Sequence, residues 1–219
     1  MRLRRLLSAT FSVLLFSLLL ASSAFATTVQ MEYEGHEGAH AQNGSPYVGY
    51  PYYFSINGSS TYTALMCDSY DNSVNLHQTY TYTVSPFLQG IANSMFGATM
   101  TLDYKAAGLM FESVLDKTLN SNTAQWAIWG LFSKNAANSS YFLDHSIFAT
   151  TEATYLAMAS TASNSAFNGL LLYTPLNAQP GVGPQEFIGS AVPEPSSLLL
   201  LGTGLVALAG MFRRKLAKV

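Results

Sequence analysis

Cysteine occurs once in this chain of 219 residues, at Cys67. A lone thiol has no disulfide partner within its own chain, so it is buried and inert, joined to another chain, or reactive. A second group with chemical potential is His36-Glu37-Gly38-Ala39-His40, which spells H-E-x-x-H. On a helix, that spacing sets both imidazoles on one face for zinc and leaves the glutamate as general base, the chemistry of a zinc-dependent hydrolase. Here the context is wrong. Gly35 and Gly38 disfavour a helix, Asn43-Gly44-Ser45-Pro46 follows at once, and His77 and His145 stand apart from the motif. The expectation is a solvated polar lead-in that binds no metal. The third group is Asp68, Asp71 and Asn72. Their oxygens suit calcium, but the EF-hand spacing and its terminal glutamate are missing. A solvated turn after a strand is expected there.

Cys67 sits in Leu65-Met66-Cys67-Asp68, at the end of a predicted strand. Thr123-Ala124-Gln125-Trp126-Ala127-Ile128-Trp129 falls in a predicted helix, and Tyr104-Lys105-Ala106-Ala107 lies between the two. Together these stretches resemble the paired motifs of bacterial thioester domains, over roughly residues 47–132. The pattern is an apolar-Cys-acid segment, a Tyr-x-x-Ala helix, then Thr-x-Gln-x-Ala-Ile-Trp. The resemblance implies that the sulfur of Cys67 attacks the side-chain carbonyl of Gln125 and expels ammonia. The internal thioester so formed is captured by an amine or hydroxyl on another surface, and no cofactor is needed. Such a bond must be kept dry, and Trp126, Ile128 and Trp129 offer an apolar wall. From the residues alone a second reading stands: Cys67 as a small buried hydrophobe, Gln125 as a helix-surface amide, and the tryptophans as core.

The two ends of the chain read as addresses. Arg2, Arg4 and Arg5, the apolar stretch 11–20 and Ala24-Phe25-Ala26 make a secretory signal peptide, with cleavage by signal peptidase expected after Ala26. At the other end, Pro193-Glu194-Pro195 cannot be helical. An uncharged run over residues 196–212 then reaches the short end of what spans a bilayer, and Arg213-Arg214-Lys215 forms a cytoplasmic membrane stop. This trio resembles the PEP-CTERM sorting signal of Gram-negative bacteria. In that family an exosortase, a membrane protease, is thought to recognise the proline motif and remove the tail. The resemblance implies transient anchoring in the inner membrane and then release to the cell surface or beyond.

These segments divide the chain into a signal peptide over 1–26, an exported domain over 27–191 and a sorting and anchor segment over 192–219. The middle part carries three lysines, Lys105, Lys117 and Lys134, against eleven carboxylates. That balance excludes nucleic acid as a partner, since a phosphate backbone demands clustered Lys and Arg.

The elements that must position Cys67 and Gln125 follow from periodicity. Residues 27–45 read as a lead-in. Residues 47–56 read as an edge or bent strand because of Pro51, and Asn57-Gly58 as a turn. Residues 61–67 and 79–84 read as strands, the latter alternating Tyr80, Tyr82 and Val84 with threonines. Asp103 opens a helix over 103–117 with Ala107, Met110, Phe111, Val114 and Leu115 as its apolar stripe. Residues 122–132 and 151–163 form two more helices, and strands return at 169–173 and 185–188. The fold expected is α+β: a β-rich, sandwich-like domain with a helical insertion over about 101–163.

The function expected is that of a non-enzymatic exported surface or biofilm-matrix protein, adhering covalently through Cys67 and Gln125 to an amine- or hydroxyl-bearing surface or polysaccharide. The alternatives are the zinc hydrolase of residues 36–40 and a binding domain without a thioester.

Overall fold

A computed structural model of the chain describes residues 26–36 and 50–191. Six strands form a sheet that closes on itself. They are β1 (Thr27–His36), β2 (Tyr52–Ile56), β3 (Tyr62–Cys67), β4 (Thr79–Pro86), β5 (Leu170–Pro175) and β6 (Phe187–Ser190). Their order around the barrel is β1-β2-β3-β6-β5-β4, and every pair is antiparallel. Six helices are inserted between β4 and β5: α1 (Phe87–Gly90), α2 (Thr101–Leu115), α3 (Ser121–Phe132), α4 (Lys134–Ala137), α5 (Ser140–Asp144) and α6 (Ser146–Thr161). The β-rich plan with a helical insertion therefore holds, but the sandwich-like arrangement is replaced by a closed barrel.

The difference comes from β1. Residues 27–36 do not form a polar lead-in. Val29, Met31 and Tyr33 alternate with Gln30, Glu32 and Glu34, and Met31 and Tyr33 are buried. This strand pairs with β2 on one side and β4 on the other, so it closes the sheet. For the same reason β2 is not an edge strand. Pro51 lies just before it, where no ladder bond is lost. The Asn57-Gly58 turn is formed as expected, with both residues at positive φ and the Ser59 amide donating to the Ile56 carbonyl at 3.1 Å.

Period-two alternation sorts the side chains into two cores. Leu65 and Cys67 of β3 join Met31, Phe54, Tyr82, Tyr173 and Phe187 in the barrel's aromatic interior, where Phe54 and Phe187 lie 4.8 Å apart, edge to face. Met66, between them, points the other way into a second core with Leu172 and Ile188 and the inner faces of α2 and α3. Tyr104, Ala107, Met110 and Phe111 fill that core, whereas Leu115 closes α2 at 37% exposure and drops out of the expected stripe.

Candidate functional site

Cys67 ends β3 facing inward and is fully buried. The helix that meets it is α3, whose start is fixed by Asn120. The Asn120 side-chain oxygen accepts from the amides of Asn122 at 3.0 Å and Thr123 at 3.2 Å. From that cap, Gln125 and Trp129 lie four residues apart on one face. Gln125 Nε2 donates to the Cys67 carbonyl oxygen at 2.5 Å, and Trp129 Nε1 donates to Cys67 Sγ at 3.5 Å. A carbonyl oxygen only accepts, so the Gln125 amide must turn its nitrogen to Cys67. Both residues expected to form a bond are thus in one buried site, from a strand and a helix. Gln125 is fully buried, not a surface amide.

Burial pushes the Cys67 thiol up to about 12, and the neighbouring Asp68 adds to the rise, while the Trp129 hydrogen bond works against it. Asp68 is not in a solvated turn. It is fully buried and lies against Glu186, which leads into β6. The Asp68 amide donates to the Glu186 carbonyl at 3.2 Å, and the Glu186 amide donates to Ser69 Oγ at 2.7 Å. The Glu186 carboxylate accepts from the Tyr104 hydroxyl, from Thr174 Oγ1 at 2.6 Å and from the Met95 amide at 2.9 Å. Glu186 escapes a motif search, because it follows Pro184 and Gln185 and nothing local marks it as buried.

Asp71 and Asn72 are also committed to the fold. Asp71 accepts from Ser133 Oγ at 2.6 Å and Asn135 Nδ2 at 2.8 Å. Asn72 is buried. Its Nδ2 donates to the Gln179 and Gly183 carbonyls, and its Oδ1 accepts from the Gly181 amide at 2.9 Å. These three residues staple loops rather than converge on a cation.

A cleft of about 350 Å³ opens at the end of the barrel where β1 and β3 finish. Tyr33, His36, Tyr52, Tyr70, Trp129 and Gln185 are among its walls. Trp129 also touches the Cys67 sulfur, so its indole separates the cleft from the buried pair. His36 reaches the cleft through a bulge. The β1–β2 register shifts between Tyr33 and Gly35, and Gly35 adopts φ +122°. The extra residue resets the alternation, so Tyr33 and His36 share a face, with the Tyr33 hydroxyl 3.1 Å from His36 Nδ1. The first histidine of the H-E-x-x-H sequence is therefore in a strand, not on a helix, and Glu37 and His40 lie outside the described residues. Among the described residues, the one group of side chains able to converge on a metal is Glu32, Glu34 and His77, which shares nothing with that motif.

No helix among the described residues is long and apolar enough to cross a membrane. Pro193, Glu194, Pro195 and the Arg213-Arg214-Lys215 cluster lie outside the described residues, as do residues 1–25 of the signal peptide expected over 1–26. No curated protein and no solved structure is similar to this chain. The PEP-CTERM protein-sorting motif matches residues 191–215, and so takes in both the proline motif and the basic cluster. That match supports export of the protein by an exosortase-type system.

Proposed function

We propose that this is a non-enzymatic surface or matrix protein that attaches covalently to its target through an internal thioester between Cys67 and Gln125. Export begins with signal peptidase cleavage after Ala26. It ends with exosortase cleavage at Pro193-Glu194-Pro195, after transient anchoring in the inner membrane by the stretch that stops at Arg213-Arg214-Lys215. The observation that carries the thioester reading is the hydrogen-bonded contact of the Gln125 side chain with Cys67 across 58 residues of sequence, inside a fully buried site.

The chemistry balances. The Cys67 S–H and the Gln125 C–N bond break, a C–S bond forms, and ammonia leaves with the thiol's proton. An incoming amine or hydroxyl on a surface or polysaccharide then takes the acyl group and returns the free thiol. The aromatic cleft beside Trp129 is the approach for that nucleophile. Movement of the indole would expose the bond.

The test is intact mass. The folded wild-type chain is expected to be lighter than its sequence by one ammonia, and to take up methylamine at Gln125 with release of the Cys67 thiol. Cys67→Ala and Gln125→Ala should each lack the ammonia loss. A folded wild-type chain of full sequence mass would sink the covalent reading. The aromatic cleft would then favour a non-covalent binding domain.

A further inference from the structure

The cleft beside Trp129 has walls of two kinds. Tyr33, Tyr52, Tyr70 and Trp129 supply aromatic surface. Their rings are held at angles to one another: Tyr33 and Tyr52 lie 5.9 Å apart at 41°, and Tyr70 meets Trp129 edge to face at 5.3 Å. Between the rings stand a few polar groups. The Tyr33 hydroxyl meets His36 Nδ1, which leaves Nε2 of that exposed side chain for another partner. The side chain of Gln185 bonds to the Tyr52 hydroxyl, and both residues are buried. Among the described residues, no Asp, Glu, Lys or Arg lines the cleft. Glu32 and Glu34 of β1 turn instead to His77, at 4.0 and 3.6 Å. An anion in the cleft would lack a cation, and an ammonium stripped of its water would lack a carboxylate. A sugar ring needs neither. Its C–H faces fit the electron-rich faces of the aromatic rings, and its hydroxyls fit neutral polar groups. The size agrees. A cleft of about 350 Å³ lies near the lower end of the range for small-ligand pockets, roughly 300–1,000 Å³, so it suits one or two rings and not a folded partner.

We propose that this cleft binds a neutral saccharide, and that the acceptor of the Gln125 acyl group is therefore a sugar hydroxyl and not an amine. The second half rests on the thioester reading above. In that step the hydroxyl oxygen bonds to the Gln125 acyl carbon, the C–S bond breaks, and the hydroxyl proton passes to Cys67 Sγ. An ester and a free thiol result, and no atom is lost. Trp129 links the two halves, since it lines the cleft and donates to Sγ.

Trp126 and Trp129 are the two tryptophans of the chain, so the indole fluorescence of the full-length protein reports on the cleft wall. Maltose, cellobiose, lactose and mannobiose are titrated against it, with n-butylammonium and glucuronate as charged counter-probes. At least one neutral disaccharide should change the fluorescence to saturation, and neither charged probe should. Tyr70→Ala should weaken that binding roughly tenfold, the cost of losing a ring that anchors a ligand, whereas Tyr70→Phe should keep it. If Tyr70→Ala loses the wild-type near-ultraviolet dichroism, His36→Ala takes its place and should also weaken binding. No response to any of the four sugars, saturation by either charged probe, or sugar binding unchanged in the folded variant overturns the site. Capture is read separately, by denaturing intact mass after incubation with the sugar that binds. A chain first lighter by one ammonia should gain the whole mass of the sugar. Such a chain that binds the sugar and never gains its mass overturns the hydroxyl as acceptor. A chain of full sequence mass that still binds sugar refutes the thioester reading and leaves the saccharide site standing.

Discussion

At Cys67, burial and bond formation look alike to a thiol reagent. The sulfur is fully enclosed and its thiol is raised to about 12, so the reactive thiolate is scarce near neutral pH even without a bond. Resistance to labelling is thus no proof of a thioester. Gln125→Ala separates the two effects, since it removes the acyl donor and leaves the Trp129 lid. Its thiol should stay unreactive in the folded protein and label fully in denaturant. Rapid labelling of the folded variant would show that the Gln125 contact, not the burial of β3, shields the sulfur. The same scale shows where residue type misleads. Asp68 and Asn72 have the composition of a solvated turn, yet both are buried, because their partners in residues 179–186 arrive from more than a hundred positions away. No local pattern carries that information. Cys67 and Gln125 were legible only as a pair of motifs, and the donor set around Glu186 only from the fold.

At the scale of elements, α2 and α3 announce themselves by helical spacing and α3 by its Asn120 cap. α6 begins at Ser146, five residues before the expected start, because Phe148 is buried in its first turn where its neighbours hide the pattern. β1 is the instructive miss. Its Val29-Met31-Tyr33 alternation is visible in the sequence, but its exposed partners and the glycines after it read as an unstructured lead-in. Losing that one strand turns a barrel into a sandwich. Helix packing carries a prediction of its own. α3 packs so closely on its neighbours that a Cβ on Gly130 would clash with Glu152 Oε1 of α6 and sit 2.6 Å from a carbon of the Phe142 ring of α5. The same contact traps Glu152 Oε1 without a donor, and burial, then the charge of Asp103, pushes Glu152 up to about 7 from its ordinary 4.5. Between those two values the folded chain binds more proton than the unfolded chain, so stability falls as pH rises across this window and levels off above it. Glu152 is only partly buried, so solvent screens part of the effect. Glu152→Gln should lack this component. Thermal midpoints of the two proteins, measured from about 4.5 to about 7, should diverge as pH rises, with the wild type dropping further. Parallel curves would mean that Glu152 titrates as a free surface acid.

For the whole molecule, the barrel ends where the expected signal peptide stops and where the sorting motif begins. β1 starts at Thr27, directly after the expected signal peptidase site, and Thr27 pairs with Val84 of β4. β6 ends at Ser190, paired with Leu170, and the sorting motif begins at residue 191. Cleavage at both ends would therefore release the barrel with every described strand intact. A closed sheet has no free edge to recruit another chain. Mass spectrometry of the protein from its native host should find a chain that begins at Thr27 and lacks residues 196–219. That product should melt like the full chain, because no described strand or helix extends past Ser190. If every recovered species keeps Arg213 and Arg214, the tail is a permanent anchor. A trimmed product that melts at a clearly lower temperature would mean that the barrel leans on segments beyond its first and last strands.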